Sequence, residues 1–177
     1  MKSPTDGAPA HLLAFLEKHS VDFEFLAPGV PMPTVLAAAA AIGVSPESVL
    51  KTLLFAGVNG SYVVAIANGT RRVNTLLLSA ASGVPQPRPA RPQVVIELTG
   101  YPAGGVAPLA LPDDLPVIVD VNVEALQTAY AGGGRDDLLM RVQPADIIRL
   151  NSARTARIVA DDEPQRIDLV EPIATPR

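Results

Sequence analysis

Apolar residues recur along this chain with two different periods, and the switches between them divide it into short helices and strands. From Ala8 to Ser20, Leu12, Phe15 and Leu16 fall at helical spacing, which predicts an amphipathic helix with His19 capping its end. Asp22 to Ala27 alternates instead, with Phe23 and Phe25 on one face, and reads as a short strand before the proline loop of Pro28, Pro31 and Pro33. Thr34 is a good N-cap for a helix over Val35 to Ile42, whose run of alanines suits close packing, and Gly43 ends it. Ser45 to Ser48 predicts a single helical turn. The apolar run Val49 to Ala56 then reads as a strand, paired antiparallel with Ser61 to Ala67 through the Asn59-Gly60 turn.

Beyond a turn at Gly69 to Arg72, Asn74 caps a helix that runs to Ser82 with Leu77, Leu78 and Ala81 inward, and Gly83 stops it. Four prolines keep Val84 to Pro92 extended, and Gln93 to Leu98 predicts a short helix. Leu115 to Val119 reads as a buried strand ending at Asp120, followed by a helical segment at Val123 to Leu126. Thr128 to Ala131 and Leu138 to Val142 read as two strands, with Gly132, Gly133, Gly134, Asp136 and Asp137 as their link. Pro144 opens a last helix to Leu150, and Ala156 to Val159 predicts a closing strand. Hairpins with interspersed helices, no βαβ rhythm and no internal repeat indicate an α+β fold: a mixed, mainly antiparallel sheet or barrel surrounded by helices.

With 177 residues, 48% of them hydrophobic and 18% charged, the chain suits one soluble globular domain with a proper core. No apolar run approaches the roughly 20 residues of a membrane span, and Met1 to Pro9 lacks the blocks of a signal peptide, so a cytoplasmic protein with no membrane partner is expected. Residues 161–177 carry five acids against two arginines, which predicts a partly disordered acidic tail after a domain over residues 1–160. Residues 71–96 carry Arg71, Arg72, Arg88 and Arg91 and no acid, a local excess of positive charge within a chain of net charge −4. Without cysteine, disulfides and thiolate chemistry are excluded. His11 and His19, both on the first helix, do not readily build a His-rich metal site or a Ser-His-Asp triad. No phosphate-binding glycine motif with its lysine is present, and no cofactor is expected.

Two features remain as candidate chemistry. Lys51 interrupts the apolar run Val49 to Phe55, on the strand face of Val49, Leu53 and Phe55, where an ammonium must either reach solvent or meet an anion in a partly closed pocket. Leu98 to Ala110 combines Gly100, Gly104 and Gly105 with Pro102 and Pro108 into a shaped loop. It is either an ordinary turn or a set of main-chain amides able to hold a carboxylate, a phosphate or an oxyanion.

Taken together, Val49-Leu50-Lys51-Thr52-Leu53-Leu54, Thr99-Gly100-Tyr101-Pro102-Ala103-Gly104-Gly105-Val106-Ala107-Pro108-Leu109, Val117-Ile118-Val119-Asp120 and Tyr130-Ala131-Gly132-Gly133-Gly134 resemble the YbaK/prolyl-tRNA-synthetase-associated editing family over about residues 10–160. The resemblance implies a metal-independent trans-editing deacylase that hydrolyses the ester of a mischarged tRNA bearing a small amino acid. Its partners would be the 3′ aminoacyl end of that tRNA and, for some relatives, a synthetase. Lys51, Gly104 and Gly105 match the catalytic positions, while Thr34, Thr52, Val106, Gly132, Gly133 and Gly134 match the substrate pocket. The arginines of residues 71–96 would then give salt-sensitive contact with tRNA. Departures stand beside the match. Leu76 and Leu77 occupy positions where many relatives have lysines, and Leu139 stands where some have an acid in the pocket. A non-catalytic module for the aminoacyl end of tRNA or for a synthetase is therefore the second reading.

Overall fold

A computed structural model describes residues 7–160. Helix α1 (Ala10–Lys18) buries Leu12 and Leu16 and ends at His19, and strand β1 (Glu24–Leu26) follows with Phe25 buried. Helix α2 (Val35–Ile42) starts where Thr34 Oγ1 accepts from the Ala37 amide at 3.1 Å, and it stops at Gly43, whose φ of +70° favours glycine. Its alanines let it lie close to its neighbours, so that Ala38 and Ala39 are buried. A 3₁₀ turn (Pro46–Ser48) delivers the chain into β2 (Leu50–Ala56), which turns at Asn59-Gly60 into β3 (Tyr62–Asn68). Helix α3 (Thr75–Ser82) is capped by Asn74, whose Oδ1 accepts from the amides of Leu76 and Leu77. Then come β4 (Arg88–Pro89), α4 (Pro92–Thr99), β5 (Val117–Asp120), α5 (Val121–Glu124), β6 (Ala129–Arg135), β7 (Leu138–Val142), α6 (Pro144–Leu150) and β8 (Arg154–Ala156).

The strands form two sheets. One has three antiparallel strands in the order β1-β7-β6; the other has five, β4-β2-β3-β5-β8, with β3-β5 and β5-β8 parallel. In the larger sheet Leu50, Leu54, Val64, Ile66, Val117 and Val119 turn one face to the main core, while Phe55, Val63, Ala65 and Ile118 turn the other toward Leu78 of α3. Each fully buried Leu or Ile of this kind contributes about 1.5–3 kcal/mol. A third cluster gathers Met32, Ala38, Ala39, Val49 and Leu139 where the sheets approach. There Val49 bridges Tyr130 at the start of β2.

Several expectations change in detail. The sheets stay open and separate, so no barrel closes. Gly132, Gly133 and Gly134 lie inside β6 rather than linking two strands, because without side chains they tolerate a register shift against β7 between Gly132 and Arg135. The helix expected at Val123 to Leu126 starts two residues earlier, since Asp120 supplies its cap through the Asn122 amide. The closing strand lies at 154–156, and within the proline segment β4 pairs with Phe55 and Ala56. The expected acidic tail lies outside the described residues.

Two side chains lock the parts that frame the site. Asp120 is fully buried, and its oxygens accept from the Asn122 amide and side chain and from the amides of Ile158 and Val159, fastening the end of β5 to the last described segment. Tyr101 is also fully buried. Its hydroxyl donates to Leu109 O at 2.8 Å and so clips the glycine loop at both ends, while burial holds its pKa well above the usual tyrosine value. Replacing Asp120 with Ala leaves several buried donors without an acceptor and is expected to cost about 3 kcal/mol. In a domain of this size that is a fall of roughly 10 °C in Tm, measurable by thermal melting. Tyr101→Phe removes one hydrogen bond from a buried carbonyl, with an expected loss of about 1–2 kcal/mol in denaturant unfolding.

Candidate functional site

Where β2 begins, next to the seam between the two sheets, a cleft of about 380 Å³ opens to the surface. Five segments wall it: Met32 to Leu36 and Ala38 around the start of α2, Val49 to Leu53 of β2, the turn at Gly69 and Thr70, the glycine loop at Gly104 and Val106, and the β6–β7 hairpin from Gly132 to Leu139. The Met32 amide donates to Asp136 O at 3.2 Å, tying the proline loop to the hairpin across one side of the cleft. Met32, Val35, Ala38 and Leu139 make an apolar wall, and Lys51, Thr34, Thr52, Thr70, Arg135 and Asp136 supply the polar groups.

Lys51 is half-buried on this wall, and it neither reaches freely into solvent nor meets a carboxylate. Its ammonium donates to two backbone carbonyls, Gly69 O at 3.2 Å and Arg71 O, both in the turn after β3. An ammonium has three N–H donors, so one is left for a ligand. The turn is itself held in place. The Gly69 amide donates to Val49 O, Arg71 pairs with Glu47 at 3.3 Å, and the buried Asn68 donates to Glu47 O at 2.6 Å. The Glu47 carboxylate lies so close above Gly69 that a Cβ there would come within 2.6 Å of it. Burial lowers the Lys51 pKa, Glu47 opposes that shift, and the cations of Arg71 and Arg72 add to it.

Thr52, next along β2, lines the cleft at 9% exposure, and its Oγ1 has no hydrogen-bond partner among the described residues. An orphaned buried hydroxyl is costly, and this one lies behind the cleft wall with almost no exposed surface of its own. Of the other residues singled out in the sequence, Thr34, Gly104, Val106 and Gly132 line the cleft; Gly105, Gly133 and Gly134 do not. Gly105 is buried against the Arg135 backbone, where a Cβ would lie 2.7 Å from a main-chain carbon, and its amide donates to Pro102 O at 3.0 Å. Gly104 and Val106 are the two loop residues that line the cleft, and their amides make no backbone hydrogen bond among the described residues. Gly133 packs against Leu138, and Gly134 against Pro9 and Tyr101.

Arg135 and Asp136 belong to the cleft although the sequence assigned neither a role there, and Met32 of the proline loop lines it as well. Arg135 is held by Asp137 through two hydrogen bonds of 2.8 and 2.6 Å, which also keep the Asp137 carboxyl below its usual pKa. For Arg135 and Asp136 the one available signal was their place directly after Gly132, Gly133 and Gly134. Neither histidine lines the cleft, and among the described residues no three His, Cys, Asp or Glu side chains gather as metal ligands.

Comparison with known proteins bears on this cleft directly. The family model of the aminoacyl-tRNA editing domain matches residues 30–150. Proline--tRNA ligase of Lysinibacillus sphaericus is 28% identical over 132 residues, and YwhH, an uncharacterized protein of Bacillus subtilis, is 30% identical over 114. The first match covers 74% of this chain but 23% of the ligase; the second covers 64% of this chain and 72% of YwhH. Among solved structures, the hypothetical protein APE2540 superposes with a TM-score of 0.78 at 31% identity, covering 85% of this chain and 99% of its own. A candidate trans-editing enzyme for prolyl tRNA synthetase superposes at 0.74 and 25% identity, covering 91% and 99%. Every wall of the cleft falls inside the stretch that the family model matches, and the chain belongs to the aminoacyl-tRNA editing domain family.

Proposed function

We propose that this chain is a trans-editing aminoacyl-tRNA deacylase, active in translation fidelity in the cytoplasm, which hydrolyses the ester of a mischarged tRNA bearing a small amino acid. One observation carries the proposal: the Lys51 ammonium, with one donor remaining, and the open amides of Gly104 and Val106 line the same cleft. The activity is assigned to a single domain ending at about residue 160.

The geometry suits a substrate that brings its own charge. The terminal nucleotide of tRNA is anionic at its phosphate, and the remaining Lys51 donor orients that end or the ester oxygen. The aminoacyl carbonyl sits at the glycine loop. A water molecule attacks its carbon, the carbonyl π electrons move to oxygen, and the tetrahedral oxyanion is held by the amides of Gly104 and Val106. Each donor of this kind is worth on the order of 3 kcal/mol in comparable sites. Collapse breaks the bond to the ribose oxygen, which takes the proton from the attacking water, and releases amino acid and free tRNA. Thr34 and Thr52 line the same cleft, with the Thr52 hydroxyl buried behind its surface. The apolar side of Met32, Ala38 and Leu139 leaves space for a small amino-acid side chain.

The test is a panel of tRNAs mischarged with alanine, cysteine or serine, read as enzyme-dependent release of amino acid. Lys51→Ala is expected to lower release at least 100-fold with little change in melting temperature. Tight binding by the parent protein without any release would instead identify the non-catalytic module. A second expectation concerns pH. If the charged form of Lys51 is the active one, kcat/KM stays level while the ammonium is intact and declines as pH rises through its pKa. Because burial lowers that pKa, the decline begins below the ordinary lysine range. After subtraction of the enzyme-free rate, a profile level up to the ordinary lysine range would contradict a desolvated ammonium at the site.

A further inference from the structure

The arginines of this chain are used in two ways. Among the described residues Arg71 pairs with Glu47, Arg135 with Asp137, Arg141 with Asp22 and Glu24, and Arg149 with Asp146, while Arg154 donates to Ala81 O and Arg157 is also engaged. The guanidinium groups of Arg72, Arg88 and Arg91 make no hydrogen bond or ion pair among the described residues, and all three residues are exposed. They also fall in the stretch that holds no acid. An unpaired guanidinium keeps all its donors and a full charge for an outside anion.

Their placement gives the set a direction. Arg72 stands in the turn whose carbonyls hold Lys51, close enough for its charge to act on that ammonium. Farther along the surface, two grooves meet at β4. One lies against the first turn of α3 at Thr75 and Leu76; the other passes Tyr62 and Arg91. They share Gln86, Arg88 and Pro89, and no Asp or Glu lines either. Arg88 stands opposite Ala56 in the sheet, at the far end of β2 from Lys51. Five strand residues at about 3.3 Å each put it about 17 Å along the strand from Lys51, the rise of about five stacked nucleotides. Prolines at 85, 87, 89 and 92 stiffen the segment, so its cations are presented with little freedom to lose.

We infer that Arg72, Arg88 and Arg91 form a basic track for the phosphates of the acceptor arm of the tRNA whose 3′ end occupies the cleft. The inference rests on the deacylase reading for the identity of the RNA, and it adds a second contact site, separate from the cleft, that reads backbone charge. Two arginines at the far end of β2 reach beyond the terminal nucleotides toward the paired stem, which explains how a net acidic protein holds a polyanion.

The experiment uses the full chain, bulk uncharged tRNA as the binding probe, and an aminoacyl-adenosine ester as a substrate too short to reach β4. Binding is measured across a salt series for the parent, for Arg88→Ala with Arg91→Ala, and for Arg149→Ala as a control of equal charge type. The double variant is expected to bind about tenfold more weakly at low salt. Its log-log salt slope should be shallower by about 1.4–1.8, at about 0.7–0.9 for each phosphate that is no longer neutralised, from single strand to duplex. Hydrolysis of the short ester should be unchanged, and Arg149→Ala should match the parent. An unchanged slope in the double variant overturns the track, as does an equal loss on the short ester, which would place the arginines' effect in the cleft. Polyglutamate displacing tRNA as well as an RNA of equal charge would also overturn it, since the site would then take an acidic polypeptide equally. Failure of the short ester to react in the parent would count against the deacylase reading alone, because the salt slopes remain readable without turnover.

Discussion

A cation on an apolar strand has to find oxygen, and much of this structure follows from where Lys51 finds it. The side chain leaves β2 in the register opposite Ala67, beside one end of a sheet whose two faces are otherwise packed with aliphatic groups. Desolvating an ammonium there is costly unless hydrogen bonds compensate. Two carbonyls of the turn after β3 provide them, and that turn is fixed through Gly69 to Val49 O and through Asn68 and Arg71 to Glu47 on the preceding 3₁₀ turn. Two connections far apart in sequence are thereby joined around one charge. Because the carbonyls are neutral, they orient the ammonium without cancelling its charge, as a carboxylate would.

The opposite wall obeys a different constraint, which is space. Gly105 lies against the Arg135 backbone and Gly132 against Val106 O, where a Cβ would sit 2.6 Å from that oxygen. Side chains at these positions would force the loop and the hairpin apart. Their absence lets two irregular backbones come together at the seam between the sheets, and Tyr101 clips the loop from behind through Leu109. The result is a backbone surface held in shape by a buried phenol. Gly104 and Val106 face the cleft as a consequence, since Gly105 between them is turned away into the packing.

What the sequence revealed and what it concealed follow the range of the forces involved. Helix α2 was legible to the residue because its cap, Thr34, and its stop, Gly43, act within one turn. The β2–β3 hairpin was legible from Asn59-Gly60 and from alternation alone. The glycines of β6 misled, because three in a row argue locally for a link, whereas here the partner strand β7 and the closely packed loop impose extended geometry. The carbonyl partners of Lys51, about twenty residues away in the chain, carry no local signature, and neither does the proline segment's pairing with β2. Gly105 shows the limit most clearly. A paired glycine pointed to backbone chemistry, but which amide is taken up depends on the turn Gly105 makes with Pro102, and no spacing rule distinguishes that amide from its neighbours.

Charge is arranged by the same division between local and distant partners. Arg141 is neutralised across a strand pair by Asp22 and Glu24, Arg149 by Asp146 one turn away, and Arg135 by Asp137 across a tight hairpin. Each of these pairs is partly exposed and adds little to stability. Their larger effect is on the field. Pairing removes positive charge from the surface around the small sheet and α6, whereas the acid-free stretch after β3 leaves it uncompensated beside the cleft and along β4. Overall acidity therefore does not decide what this chain can bind. A polyanion approaching within a Debye length responds to the local imbalance, which lies along β4 and at the mouth that Lys51 occupies.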